Sequence, residues 1–276
     1  MNVTEIYARV YEDLLAIPVR RGRKSEKEKF AGADFTTTVE AFVAASGRSI
    51  QGATSHHLGQ NFSKMFEIIY EDPTTQEKKF VYQNSWGMTT RTIGVMIMVH
   101  GDDKGLVLPP KVASIQAIVV PCGITVNSSE ADRAALKQSC EDLIKTLVDR
   151  GIRAEGDFRE NYSPGWKFNH WELKGVPIRI ELGPKDIQSN QVVVVRRDTM
   201  EKITAPRADV SGRISDLLTQ IQKDLYAKAD EEFKQHLVSV YEWKDFCSNL
   251  EQKKVLYAPF CGGIECEGKI KDDSAM

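Results

Sequence analysis

The sequence predicts two fold classes in succession: an α+β antiparallel sheet over residues 1–112, then an α/β layer with a mainly parallel sheet over 113–205. Three observations predict this. In the first part, β-branched and aromatic runs follow one another around turns without regular strand–helix alternation. After Pro109-Pro110, short Val/Ile runs alternate with helical stripes, as parallel strands covered by helices do. A long helical stripe then starts at Val210 and opens a last α+β segment, 206–276. Three segments suit a chain of 276 residues at about 100–200 residues per domain.

Residues 3–16 place Val3, Ile6, Tyr7, Val10, Leu14 and Leu15 at helical spacing, and Pro18 stops the run. Residues 19–29 hold six basic and two acidic residues and read as a solvated loop, or alternatively as a surface that meets phosphates. Residues 34–45 read as a strand, 49–51 as a short extended piece, and 52–66 as a turn leading into a short helix. An Asp72-Pro73 turn between 67–70 and 79–84 predicts an antiparallel hairpin, and 89–100 a mostly buried helix.

Beyond residue 112, 115–120 reads as a buried strand. Ser128-Ser129-Glu130 opens a helix with Leu136, Cys140, Leu143, Ile144, Leu147 and Val148 on one face, and Gly151 ends it. Strands are expected at 152–155, 176–182 and 191–197, with a helix at 165–174. Val210, Ile214, Leu217, Leu218, Ile221 and Leu225 form one stripe, continued by Phe233 and Leu237. A strand at 254–260 follows, and the last ten polar residues read as loose.

Composition excludes several classes. With 41% apolar residues the chain is globular, and 37 Lys+Arg against 39 Asp+Glu argues against a histone-like binder. No run approaches the ~18 uncharged apolar residues of a membrane helix, so no membrane partner is expected. The N-terminus has no basic region leading into an apolar one, and five cysteines are few and odd in number. Both point to a reducing, cytoplasmic setting. GxGxxG, GxxxxGK[ST], GxSxG and HExxH are all missing, which removes the cheapest support for dinucleotide, P-loop, serine-hydrolase and zincin chemistry.

Three constellations could carry chemistry. Gln51, Thr54, Ser55, His56 and His57 fall within seven residues at what reads as a strand-to-helix junction, a setting for an anionic or amide ligand; capping or surface roles are the alternative. Arg91 stands in the first turn of a helix, where the macrodipole disfavours a cation. A bound anion or a neighbouring carboxylate would relieve the conflict. Cys261 and Cys266 have a spacing compatible with half a tetrahedral zinc site, but no Cys or His follows them.

Residues 51–62 (QGATSHHLGQNF), 83–94 (QNSWGMTTRTIG), 105–110 (GLVLPP), 161–168 (NYSPGWKF), 171–179 (WELKGVPIR) and 259–262 (PFCG) together resemble prolyl-tRNA synthetases of the eukaryotic and archaeal type. The resemblance spans nearly the whole chain. It implies a proline–tRNA ligase that activates L-proline with ATP as prolyl-adenylate and passes the prolyl group to tRNA(Pro). It implies the C-terminal portion of a class II antiparallel catalytic domain at 1–112, containing motif 3. An anticodon-binding domain at 113–205 and a truncated zinc-type domain at 206–276 would follow.

By the same resemblance, Arg91 is the motif 3 arginine, catalytic and ATP-binding, with Gln51, Thr54 and Thr89 as further ATP contacts. His56 and Phe30 line the proline pocket, and Glu172 and Arg179 read guanine edges of the anticodon. Cys261 and Cys266 are half of a four-cysteine zinc site. ATP would enter with Mg2+, structural Zn2+ would be incomplete, and the complete enzyme would be a homodimer through motif 1. Family motifs 1 and 2 and the second cysteine pair have no counterpart here, which implies an internal piece with impaired adenylation of its own. The alternative is a noncatalytic tRNA- or RNA-binding, regulatory protein derived from a synthetase.

Overall fold

The computed structural model describes residues 2–125 and 128–274. Helix α1 (Val3–Arg9) is capped by Asn2, whose side chain accepts from the Thr4 amide, and continues as a π-helical stretch over Val10–Leu14. Then come β1 (Val19–Arg23), β2 (Phe35–Val43), β3 (Arg48–Gly59), α2 (Asn61–Met65), β4 (Ile69–Glu71), β5 (Lys78–Phe80), β6 (Gln83–Gly87) and α3 (Arg91–His100). The middle of the chain forms β7 (Ala117–Pro121), α4 (Glu130–Val148), β8 (Ala154–Gly156), α5 (Pro164–Leu173), β9 (Ile178–Leu182), α6 (Pro184–Gln188), β10 (Gln191–Arg196) and β11 (Lys202–Pro206). Last are α7 (Val210–His236), β12 (Leu237–Ser239), α8 (Trp243–Glu251), β13 (Val255–Tyr257) and α9 (Ile264–Ser274). No helix among the described residues is long and apolar enough to cross a membrane.

The chain divides into two compact units. One holds the described residues of 1–13, 17–95 and 230–276, the other 14–16 and 96–229. The first is built on an antiparallel sheet of order β1-β2-β3-β6. Val39, Ala41 and Val43 of β2 are buried on one face, where α1 packs: Thr4 and Thr37 hydroxyls meet at 2.7 Å and Arg21 holds Glu5 and Glu12 at 2.9 and 2.8 Å.

Three sequence expectations fail in this unit. Residues 19–23 are a strand, not a solvated loop, because pairing with β2 satisfies their backbone and Arg21 finds two carboxylates on α1 and its extension. Residues 52–59 are extended rather than turned, because β3 is paired on both sides and sheet context overrides local turn preference. The tail is helical as far as Ser274, not loose. Helix α3 is buried on one side only: Val95, Met96 and His100 are covered, whereas Ile93, Ile97 and Met98 are exposed.

The second unit has a five-stranded sheet of order β11-β10-β9-β7-β8. Strand β7 runs parallel to β8 and β9, while β9–β10 and β10–β11 are antiparallel. The sheet is thus mixed rather than mainly parallel. Its connections explain this: residues 183–190 and 197–201 are shorter than the dozen or so residues a parallel crossover requires. One face buries Ile178, Ile180, Leu182, Val192 and Val194 against Leu136, Cys140, Leu143 and Leu147 of α4 and Ile214, Leu217 and Ile221 of α7. Against the other face, Phe168 and Trp171 of α5 pack on Ile118, Val120 and Val176. Ser129 and Asp132 form a capping box on α4, and Ser163 caps α5 with Pro164 in its first turn.

Segment 206–276 contributes to both units instead of standing alone. The stripe of α7 through Leu225 enters the core of the second, while Phe233 and His236 face Phe42 at 5.9 and 5.1 Å in the first.

His100 closes α3 almost without exposure and donates its Nε2–H to the Leu15 carbonyl at 2.8 Å. Burial, aided by the Lys228 charge, pushes its imidazole below the ordinary value, although the Leu15 carbonyl pulls the other way. As pH falls below about 6.5 the unfolded chain therefore takes up this proton first. The contribution is fully present above that pH and is lost towards the lower folded value. Urea midpoints are expected to drop between about pH 7.5 and pH 5.5. A His100→Gln variant should show a smaller drop, and an equal drop would assign the effect elsewhere.

Candidate functional site

Strand β3 carries Gln51, Thr54 and His56, and simple two-residue alternation would place Gln51 on the face opposite the other two. The pairing with β2 decides otherwise. Glu40 faces Gln51, but Val39 faces Ala53, so Gly52 is the extra residue of a β-bulge. Thr38 then faces Thr54 and Thr36 faces His56. Positions 40, 38 and 36 share one face of β2, so Gln51, Thr54 and His56 share it too. Ser55 and His57 fall on the other side, where His57 contacts Asp34 at 3.0 Å and stacks on Phe35 at 4.9 Å. The cluster is therefore not a strand-to-helix junction but one face of a strand, and His57 has a structural partner.

On the shared face a continuous hydrogen-bond relay fixes His56. The Phe30 amide donates to Thr36 Oγ1 at 3.1 Å, and that hydroxyl lies 2.9 Å from His56 Nδ1. His56 Nε2 lies 3.2 Å from Thr54 Oγ1. Burial, together with the Lys24 charge, pushes the His56 imidazole down and keeps it neutral. The relay is complete when Thr36 donates to Nδ1 and Nε2–H donates to Thr54. Phe30, half exposed, covers the imidazole at 4.8 Å between ring centroids. On the same face Arg20 stands opposite Glu40 and Gly22 opposite Thr38, and these residues and Lys24 line a cavity of about 310 Å³.

Thr89 and Arg91 stand at the start of α3, where the Thr89 hydroxyl accepts from the Arg91 amide at 3.3 Å. Arg91 Nη1 lies 3.5 Å from the Gln51 carbonyl, and among the described residues no carboxylate pairs with this guanidinium. Tyr11, fully buried, ties the two elements together. Its hydroxyl donates to the Gly52 carbonyl at 3.1 Å and meets the Thr92 hydroxyl at 3.2 Å.

Neither Tyr11 nor Gly52 was singled out by sequence reasoning. An isolated glycine inside a strand is a bulge signal, and Tyr11 sits four residues after Tyr7 on the same helical stripe. A Cβ at position 52 would lie 2.8 Å from the Tyr11 ring. Gly52→Ala is accordingly expected to destabilise the first unit by about 1–3 kcal/mol, as overpacking does, measurable by chemical denaturation. An unchanged midpoint would show that Tyr11 can move aside.

In the second unit, Glu172 lies in the last turn of α5 and Arg179 lies on β9. They pair with each other, and Arg179 also meets Glu181 at 3.1 Å and lies 4.1 Å from the Phe168 ring centroid. Both side chains are largely covered, 19% and 11% exposed, so neither is a solvated surface charge. Cys261 and Cys266 are exposed neighbours. The Gly263 amide, with Cys266, pulls the Cys261 thiol down. No group of three or more metal-ligating side chains occurs among the described residues, so the pair does not fit a complete zinc site.

The Anticodon binding domain family matches residues 116–217. A bifunctional glutamate/proline–tRNA ligase of Drosophila melanogaster is 67% identical over 100% of this chain and 16% of its own length. A cytoplasmic proline–tRNA ligase of Arabidopsis thaliana is 49% identical over 98% and 50%. The solved prolyl-tRNA synthetase of Cryptosporidium parvum, complexed with L-proline and AMP, superposes with a TM-score of 0.91 at 46% identity, covering 99% of this chain and 57% of that one. The chain thus spans half or less of the length of the two curated relatives. With such identity from end to end, and the same fold, the chain belongs to the prolyl-tRNA synthetase family.

Proposed function

We propose that residues 1–112 supply one wall of the adenylate site of a class II proline–tRNA ligase and that residues 113–205 recognise the anticodon of tRNA(Pro). The observation that carries the first part is the bulge at Gly52, which aligns Gln51, Thr54 and His56 on one face beside Arg91. In this reaction a proline carboxylate oxygen attacks the α-phosphorus of ATP and pyrophosphate leaves. A terminal hydroxyl of the tRNA then attacks the activated carbonyl and AMP leaves. The protein need supply no nucleophile; positioning and charge neutralisation suffice. Mg2+ enters with ATP and shares the phosphate charge.

Arg91, a cation at a helix start without a carboxylate partner among the described residues, suits phosphate oxygens: the anion removes its conflict with the macrodipole. Thr89 and the Gln51 and Thr54 side chains offer hydrogen bonds to the nucleotide. Neutral His56, held by two threonines and capped by Phe30, presents a flat apolar-edged wall to the pyrrolidine ring. In the second unit, guanine N1–H and N2–H can donate to Glu172 while O6 and N7 accept from Arg179, so a guanine edge can replace the ion pair. A cytoplasmic setting is supported by the name of one relative, the cytoplasmic proline–tRNA ligase of Arabidopsis thaliana. Cys261 and Cys266 would provide two thiolate ligands to a zinc ion completed from elsewhere.

The direct test is calorimetric titration of the chain with a non-hydrolysable prolyl-adenylate analogue. Saturable 1:1 binding that weakens in Thr54→Val is expected. Binding that ignores this substitution would place the ligand elsewhere.

A further inference from the structure

Helix α5 carries a feature that guanine-edge reading does not use. Tyr162, just before the helix, lies 3.8 Å from Trp166 at 13° between ring planes, and Trp166 lies 4.9 Å from His170 at 17°. Spaced by four residues, the three rings form one near-parallel ladder along the helix. The Arg159 guanidinium stands 5.2 and 5.0 Å from the Tyr162 and Trp166 centroids and is itself fixed by Asp157 at 2.6 Å.

The ladder is partly open: Trp166 stacks between Tyr162 and His170, and Tyr162 is its end ring. Ser163 accepts from the Trp166 amide, and Pro164 sets the first turn. Tyr162 and Trp166 nevertheless remain 38% and 41% exposed, although side chains of this kind usually bury large areas. Burial and the charges of Lys174 and Arg159 push the His170 imidazole down, against the pull of Asp157. A pre-ordered π-stack flanked by a guanidinium is a surface on which unpaired bases of single-stranded RNA settle.

We infer that the Tyr162–Trp166–His170 ladder is a stacking platform for an unpaired nucleobase of the tRNA anticodon loop, next to the Glu172–Arg179 pair and separate from it. The inference rests on the anticodon reading proposed above. Trp166 and Glu172 are six residues apart on one helix, about 9 Å along its axis and about 120° apart around it. A loop whose guanine meets Glu172 reaches the rings by passing around that part of the helix, with an unpaired base beside the anticodon laid on them.

The test measures binding of the chain to a fluorescent RNA hairpin bearing the proline anticodon loop. Trp166→Ala is expected to weaken it roughly 5- to 150-fold, with Trp166→Phe retaining most affinity and Tyr162→Leu losing less. Replacing loop bases beside the anticodon one at a time by abasic sites should find one that weakens the parent chain but not Trp166→Ala. Unfolding transitions verify that each variant folds. If Trp166→Ala and Tyr162→Leu bind within twofold of the parent while Glu172→Gln weakens, stacking is overturned and the guanine reading stands. If Glu172→Gln and guanine-to-adenine loop changes have no effect while Trp166→Ala weakens binding, the anticodon reading fails, and the inference of an anticodon-loop base falls with it.

Discussion

Asp157→Ala is expected to destabilise the second unit by about 3–5 kcal/mol, the loss that follows when one partner of a buried charge pair is removed. The Asp157 carboxylate has no exposed surface. It accepts from Arg159 at 2.6 Å and from Trp171 Nε1 at 2.8 Å, and Lys167, itself nearly covered, lies 4.0 Å away. Burial alone would push this carboxyl up, but the Arg159 and Trp171 donors and the Lys167 charge prevail and hold it down at about 2. Alanine leaves the Lys167 ammonium covered with, among the described residues, only the residue 157 carbonyl, 3.0 Å away, as partner. Urea denaturation followed by tryptophan fluorescence measures the loss; less than about 1 kcal/mol would mean that water reaches Lys167. The pH dependence has a definite sign. With the folded pKa below the unfolded value of about 3.9, the contribution is complete above that pH and disappears as pH falls towards 2.

The second large effect is catalytic. Arg91→Ala should lower proline-dependent ATP–pyrophosphate exchange roughly 10²–10³-fold in a complete ligase carrying this segment. The basis is geometric: the guanidinium lies 3.5 Å from the Gln51 carbonyl, and among the described residues it has no carboxylate to satisfy it. Arg91→Lys should recover little, because a point charge does not reproduce a planar two-pronged donor. If kcat is unchanged and only the KM for ATP rises, Arg91 binds nucleotide without favouring the transition state. Unchanged exchange in Arg91→Ala would remove it from the site.

Much of this was legible in the chain itself. Helical spacing located α1, α4 and α7, Ser129 marked a helix start, and β-branched runs located β2, β7, β9 and β10. The mixed sheet could also have been read, since eight residues between β9 and β10 cannot hold a parallel crossover. The strand at 19–23 was hidden by its arginines, whose charges look solvated until Glu5 and Glu12 arrive from α1 and its extension. Residues 52–59 were hidden by glycine, serine and threonine, whose turn preference loses to pairing on both sides.

By itself, then, the sequence determined most of the elements, the order of the two sheets and the family, because periodicity, capping residues and long motifs are local. Only the tertiary structure decided which residues share a face and which charges meet. The Gly52 bulge exists only in register with β2, Arg179 finds Glu172 only when α5 packs on β7 beside β9, and Phe233 leaves the stripe that Leu225 follows because Phe42 awaits it. Each depends on a partner distant along the chain, and no local pattern encodes the register in which two distant segments meet.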